Sequence, residues 1–295
     1  MNWRAAKKTL RCAFFIHKGG AMLKTVQELN EIARKVRIDA LKGIHAAGAG
    51  HPGGSLSVTD ILVSLYFNVM NIDPQKPDMQ GRDRLVLSKG HAAPALYATL
   101  AHRGFFDASE LLTLRKLGSR LQGHPSMELC PGVEMSTGSL GQGFSVAVGM
   151  AIADKIDGTD RRTFVVTGDG ELQEGIIWEA ALSAASHGLN NLIAVVDWNN
   201  LQIDGRVDDV KKVDPIDAKF AAFGWETFVC SGHDMQELLD TYQKALSVTD
   251  KPVCIVAKTI KGCGVSFMED KAGWHGKAPD DEQLAQAISE LGGDR

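Results

Sequence analysis

The sequence predicts an α/β fold, a parallel β-sheet with helices on both faces, and three observations carry that prediction. Five short β-branched runs, at 84–87, 163–167, 192–197, 227–230 and 253–257, are almost wholly apolar, as strands buried on both faces must be. Segments of helical period around 92–101, 144–155, 172–187 and 235–246 lie between them, and parallel neighbours need connections of that length. With 295 residues, 44% hydrophobic and 23% charged, the chain has material for the core such a sheet requires.

The first element is a basic head. Arg4, Lys7, Lys8, Arg11, Lys18 and Lys24 all precede the first acid, Glu28, and leave 26 basic against 36 acidic residues elsewhere. Its apolar stretch, Cys12 to Ile16, spans five residues, too few for a secretory core. Residues 1–22 are therefore expected to be a disordered extension, or an upstream start ahead of Met22, in preference to an organellar presequence. Residues 23–295 are expected to form one domain.

Thr25-Val-Gln-Glu28 is a capping box. It opens a helix whose stripe runs Val26, Leu29, Ile32, Ala33, Val36 and Ala40, a helical period. Glycine and proline from Ala47 to Gly54 predict a loop. Ser57-Val-Thr-Asp60 predicts a second cap ahead of Ile61, Leu62, Leu65 and Tyr66. The strands and helices named above follow, with a loop-rich region from about 103 to 140. Asp280 to Leu291 predicts a last amphipathic helix stopped by Gly292-Gly293.

Composition narrows the function classes. The formal net charge of −4 disfavours nucleic acid as a partner, because phosphate-backbone binding normally shows as a basic excess. No apolar run approaches 18 residues, so no membrane span is expected. The five cysteines, Cys12, Cys130, Cys230, Cys254 and Cys263, are scattered and form no C-x-x-C. That pattern argues against a disulfide framework or zinc site and for a reducing cytoplasm.

In open parallel sheets, ligands bind beyond the carboxyl ends of the strands. The run ending at Thr167 leads into Gly168-Asp169-Gly170, with a helix expected from Glu171. The next run, ending near Asp197, leads into Asn199-Asn200-Leu201-Gln202-Ile203-Asp204-Gly205. If the two strands are neighbours, Asp169 and Asn199 converge. A carboxylate and an amide oxygen are hard ligands suited to Mg²⁺ or Ca²⁺. The glycines let backbone approach a diphosphate, and a helix N-terminus offers donors to it. Alone, Gly-Asp-Gly is a tight turn and Asn-Asn is a common pair. Thirty residues apart from Asp169 to Asn199, each at a strand end, they are far more specific. Gln173 stands where a dinucleotide-binding turn needs its third glycine, and no P-loop string occurs.

Gly168-Asp-Gly170 followed by Asn199-Asn200 resembles the thiamine-diphosphate signature. The resemblance implies a thiamine-diphosphate-binding fold of the diphosphate-binding type, with thiamine diphosphate and Mg²⁺ as cofactors, Ca²⁺ or Mn²⁺ being able to substitute. It implies that Asp169 and Asn199 bind the metal through side chains and Leu201 through its carbonyl. Gly168 and Gly170 would lie against the diphosphate, and Ile203 near the thiazolium ring.

Four of the nine histidines sit in glycine- or proline-marked loops: His51, His91, His124 and His275. His17, His45, His102, His187 and His233 are read as surface or satisfied core residues. The strings Ala49-Gly-His-Pro-Gly-Gly, Ser88-Lys-Gly-His-Ala-Ala-Pro-Ala-Leu-Tyr, Thr137-Gly-Ser-Leu-Gly-Gln-Gly143 and Asp270-Lys-Ala-Gly-Trp-His-Gly-Lys277 resemble the transketolase family in chain order, over roughly residues 25–280. By that similarity His91 and His275 touch the diphosphate or the reacting carbonyl. His51 and His124 hold the donor sugar's hydroxyls and shuttle protons, a task suited to a pKa near neutrality. Gly138 and Leu140 would line the aminopyrimidine channel, and Glu174 matches an acid at the family's subunit interface. Lys261 and Lys277 are weaker candidates near the diphosphate and substrate, each with a solvated-lysine alternative.

The family also uses a glutamate on a second, pyrimidine-binding domain, then a third domain that follows it, and phosphate-clamping arginines. After Gly276 nineteen residues remain, too few for another α/β domain. The expectation is an N-terminal subunit of a split transketolase. A C-terminal subunit would carry the pyrimidine-binding domain in an α2β2 heterotetramer that acts on sugar phosphates. Pentose-phosphate sugars are the default, with branched or sulfonated sugars as a variant. The alternatives are the α subunit of a 2-oxo acid dehydrogenase first component, and a module that stores or senses thiamine diphosphate.

Overall fold

The computed structural model describes residues 23–293; the basic head, with Cys12 and His17, lies outside them. All five expected strands form: β1 (Arg84–Leu87), β2 (Thr163–Gly168), β3 (Leu192–Trp198), β6 (Glu226–Ser231) and β7 (Val253–Lys258). They make one sheet in the order β1-β2-β3-β7-β6, with every pairing parallel. A hairpin of two-residue strands, β4 (Leu201–Gln202) with β5 (Gly205–Arg206), stands apart from it. No helix among the described residues is long and apolar enough to cross a membrane.

Strand side chains alternate between two cores. Phe164, Val166, Ile193, Val195 and Ile255 face α1 (Val26–Ala47), α2 (Pro52–Ser64), α3 (Ala93–Arg103) and α8 (Met235–Leu246). Val165, Ala194, Val196, Cys254 and Val256 face α4 (Gln142–Ile156), α5 (Gly175–Ser186) and α7 (Ile216–Ala222). A short α6 (Val207–Lys211) follows the hairpin, and α9 (Asp281–Glu290) closes a smaller cluster against Ile38 and Leu56. Helices on both faces explain why β1, β2, β3 and β7 lack a polar alternate, whereas the edge strand β6 is only part-buried, with Val229 47% exposed.

The expected Thr25 capping box is present: Thr25 Oγ1 accepts from Glu28 N–H at 3.2 Å and Glu28 Oε2 from Thr25 N–H at 2.7 Å. α1 ends at Gly48, whose φ of +64° is the left-handed turn that glycine tolerates. The expected last helix forms as α9, and Asp280 caps it with a reciprocal bond to Gln283. Between α3 and α4 the loop-rich region holds a 3₁₀ turn, Ala108–Thr113.

Two local expectations are corrected. Ser57 and Asp60 do not cap a helix, and the predicted loop is shorter, because α2 already begins at Pro52. Proline at the first helical position has its φ pre-set and needs no N–H partner. The polar residues then sit inside a helix that is buried throughout. Ser55 and Thr59 hydroxyls bond back to carbonyls four residues earlier, each at 2.8 Å. α5 starts later than expected: a 3₁₀ turn, Gly170–Gln173, precedes it, because buried donors on three loops draw the Glu171 side chain inward.

Asp60 accepts from Arg37 at 2.5 and 3.0 Å and contacts His233 Nδ1 at 2.7 Å. Asp60 favours the His233 imidazolium, but Ile260 N–H donates to His233 Nε2 at 2.8 Å. A fixed backbone donor needs that lone pair, so the geometry holds the neutral Nδ1–H tautomer. This chain of contacts ties α1, α2 and the loop after β7 together. Arg37→Met leaves a buried carboxylate short of its cation and is expected to lower the unfolding free energy by about 3 kcal/mol or more. Urea denaturation midpoints check this; a loss within the scatter of surface substitutions would show that the pair ties nothing.

Candidate active site

The carboxyl ends of β1, β2, β3 and β7 lie side by side, so the residues that follow them meet around one cleft of about 330 Å³. The catalytic, cofactor and metal residues expected from the sequence all line it: His51, His91, His124 and His275, Gly138 and Leu140, Gly168, Asp169 and Gly170, and Asn199, Leu201 and Ile203. Glu174 and Lys261 line it too. Lys277 does not; it is exposed, its ammonium 4.9 Å from the centre of the Trp274 ring.

The condition on Asp169 and Asn199 is met. β2 and β3 are paired neighbours with Gly168 opposite Asp197. Asp169 Oδ1 accepts from Gly170 N–H at 2.7 Å, and Oδ2 from Asn200 N–H in a short bond. Asn199 Oδ1 accepts from Leu201 N–H at 3.1 Å, and the Leu201 carbonyl accepts from Lys261 Nζ at 2.9 Å. Burial, then the neighbouring Asp197 charge, push the Asp169 carboxyl up to about 6. No side-chain ion pair among the described residues neutralises Asp169, although it is 2% exposed. Such a carboxylate, beside an amide and a carbonyl, is a hard-oxygen set that fits a divalent cation. No three His, Cys, Asp or Glu side chains converge on a metal position among the described residues, so a cation here would rest on the one carboxylate, the amide, the carbonyl and ligand oxygens.

Two buried carboxylates that sequence reasoning missed hold the loops in register. Glu171 accepts from Ser88 Oγ at 2.5 Å, Gly141 N–H at 2.8 Å and Gly168 N–H at 3.1 Å. It therefore joins the His91, Leu140 and Asp169 loops. Asp197 accepts from Ser57 Oγ at 2.6 Å and, through short bonds, from Lys89 Nζ and Thr259 Oγ1. It joins α2, the His91 loop and the Lys261 loop. Burial raises Glu171; burial acts on Asp197 too, but the Lys89 charge overrides it and holds that carboxyl low. Lys89 sits inside the string Ser-Lys-Gly-His, and a buried lysine is rare unless paired. Asp197 reads in sequence as the last residue of an apolar strand, so only its polarity there was a signal. Gly90 shows how tight the join is: a Cβ would stand 2.6 Å from Thr137 Oγ1 and 2.8 Å from Gly138 N.

The four loop histidines form one cluster. Ring centres are 5.3 Å apart for His51 and His91, 5.4 Å for His51 and His275, 5.0 Å for His91 and His275, and 6.2 Å for His51 and His124. Burial lowers all four. His51 falls to about 4, with Arg115 the next cause, and His275 to about 3, with Lys261 next. His91 lies well below its ordinary value through burial and Lys89, and His124 is lowered by burial and Arg115. All four are neutral at pH 7. His275 Nδ1 contacts Lys261 Nζ at 2.8 Å; an ammonium donating there leaves Nε2 carrying the ring proton. Lys261 itself is lowered to about 8 by burial and Lys89.

The other histidines among the described residues behave as read. His45 contacts Asp281, His102 contacts Asp39 and His187 contacts the Ser183 carbonyl. Cys130, Cys230, Cys254 and Cys263 are free thiols.

A family described as transketolase, thiamine diphosphate binding domain, matches residues 28–295. The chain belongs to the transketolase family. It is 44% identical over 264 residues to the 6-deoxy-6-sulfo-D-fructose transketolase subunit SqwG of Clostridium sp. (strain MSTE9), covering 90% of this chain and 96% of that one. It is 41% identical over 266 residues to one of the subunits of the apulose-4-phosphate transketolase of Phocaeicola vulgatus, covering 90% and 94%. Its structure superposes on the transketolase from Campylobacter jejuni with a TM-score of 0.87 at 35% identity, covering 92% of this chain and 44% of that one. Transketolase from Leishmania mexicana gives 0.86 at 31%, covering 92% and 42%. The chain thus spans less than half of these two solved transketolases and nearly all of the two relatives named as subunits. The match favours a transketolase component over the 2-oxo acid dehydrogenase alternative.

Because the four histidines are depressed in the folded chain, these groups bind more protons when unfolded between about pH 6.5 and 3, whereas the raised Asp169 acts in the opposite sense below about pH 6. The histidines' contribution to stability is full above that window and is lost as pH drops through it. His51→Gln removes one of these groups and should make the fall shallower in urea midpoints taken at neutral and acid pH. A fall of equal depth would acquit His51.

Proposed function

We propose that this chain is the N-terminal subunit of a two-polypeptide transketolase. With a second subunit it moves a two-carbon ketol unit from a ketose phosphate to an aldose phosphate. One observation carries this reading: near-complete coverage of relatives named as transketolase subunits, by a chain whose expected catalytic and cofactor residues all meet in one cleft. The second subunit supplies the pyrimidine-binding domain and its glutamate, and the working unit is an α2β2 heterotetramer in a reducing cytoplasm. Pentose-phosphate sugars are the default substrates. The names of the two relatives, one for a sulfonated fructose and one for apulose-4-phosphate, support the variant in which the sugar is a less common one.

Asp169, Asn199 and the Leu201 carbonyl would hold Mg²⁺, and Gly168, Gly170, His91, His275 and Lys261 would face the cofactor's diphosphate. Thiamine diphosphate supplies the carbanion chemistry that breaks and remakes the carbon–carbon bond. The chain's own residues bind and move protons. Neutral His51 and His124 both donate to and accept from sugar hydroxyls at pH 7. His275, its Nδ1 taken by Lys261, donates through Nε2. Gly138 and Leu140 border the aminopyrimidine. Ile203, 67% exposed at the tip of the β4–β5 hairpin, would lie against the thiazolium.

Two measurements test this. Calorimetry with thiamine diphosphate and Mg²⁺ should show Asp169→Ala and Asn199→Ala each losing more affinity than the roughly 10–100-fold that outer-shell changes cost; unchanged affinity in both would remove the site. Ketol transfer should require the second polypeptide, so robust turnover by the purified chain alone would refute the split assembly.

A further inference from the structure

Arg115 carries a charge that the proposed cofactor and proton-transfer roles leave unused. It has a φ of +61°, a left-handed conformation that non-glycine residues adopt only when the surroundings impose it. Its N–H is held by the Leu121 carbonyl at 2.8 Å. Its guanidinium lies against Gly123, where a Cβ would stand 2.6 Å from Cζ and 2.7 and 2.8 Å from the two terminal nitrogens. Gly123 immediately precedes His124, so the cation is placed beside that histidine.

Two acids of the same segment are engaged by other arginines. Glu110 takes Arg120 at 2.5 and 2.7 Å, and Glu134 takes both terminal nitrogens of Arg82. Among the described residues no carboxylate pairs with Arg115, which is exposed. Its field also shows which end of the cleft it serves. After burial, Arg115 is the largest influence against protonation of both His51 and His124. The charges acting on Asp169 and His275 are chiefly those of Asp197, Lys261 and nearby His51 and Lys89. Arg115 therefore belongs to the sugar-facing histidines and not to the diphosphate end.

We propose that Arg115 is this chain's own contact for the terminal oxyanion, phosphate or sulfonate, of the sugar that enters beside His51 and His124. A planar guanidinium presents paired donors that match a tetrahedral oxyanion, and the cofactor's phosphates are answered by Lys261 and the metal oxygens. The inference rests on the ketol-transfer reading. It adds an arginine of this chain to the phosphate-clamping arginines that the family resemblance implies.

The test compares wild type with Arg115→Gln in the complex with its second subunit. Acceptors are a phosphorylated aldose, the same aldose without its phosphate, and its sulfonated analogue. The kcat/KM preference for the phosphorylated over the neutral aldose should fall roughly 10- to 100-fold, through KM, as lost charge-assisted bonds predict. Arg115→Lys should recover part of it, because lysine keeps the charge without the fork. The arm with the larger loss, phosphate or sulfonate, identifies the anion. An unchanged preference in both anionic arms would overturn the inference, whatever happens to the absolute rate. A wild-type complex that transfers to none of the acceptors would overturn the activity itself, a result visible before any variant is made.

Discussion

The site depends on Asp197 remaining charged inside the protein. It is fully buried at the end of β3, and Lys89 from the β1 loop neutralises it. Breaking one side of a buried ion pair is costly because the other charge stays behind. Ser57 and Thr259 take further lone pairs, so one carboxylate fixes three segments. Glu171 does the same for three more positions without a cation, using one hydroxyl and two backbone donors. Between them stand Asp169 and the histidines, so the loops that carry chemistry are positioned by groups that carry none.

This arrangement also sets the local electrostatics. Asp169 is raised by burial and by the nearby Asp197, while Lys261 and the four histidines are lowered by burial and by neighbouring cations. Neutral imidazoles, a carboxylate in want of a cation and a weakened ammonium are what a low-dielectric pocket produces when water is scarce. They are also what a site needs to hold a metal–diphosphate group at one end and pass protons at the other.

Much of this was legible in the chain. All five sheet strands were visible because strands of a parallel sheet are short apolar runs, α1 because its cap is local chemistry, and α9 because its amphipathic run is stopped by two glycines. The cleft residues were visible because glycine and proline mark strand-end loops. The start of α2 was not legible: Ser57-x-x-Asp60 has the spacing of a cap, and nothing local says that these side chains are occupied by Asp197 and Arg37. Glu171 and Asp197 were missed for a related reason, since their donors lie 83 and 140 residues away, at Ser88 and Ser57. Arg115 was hidden inside a loop, where only its contact with Gly123 gives it a place.

α2 has no solvent face, being buried from Pro52 to Ser64. A helix packed on every side is not free to rock, so His51 at its head is a stationary post. Any opening and shutting around a sugar must then fall to the parts bounded by solvent, chiefly the two-residue arms of the β4–β5 ribbon and the irregular stretch bearing His124. Motion and anchorage are thereby divided between different walls of the same cleft.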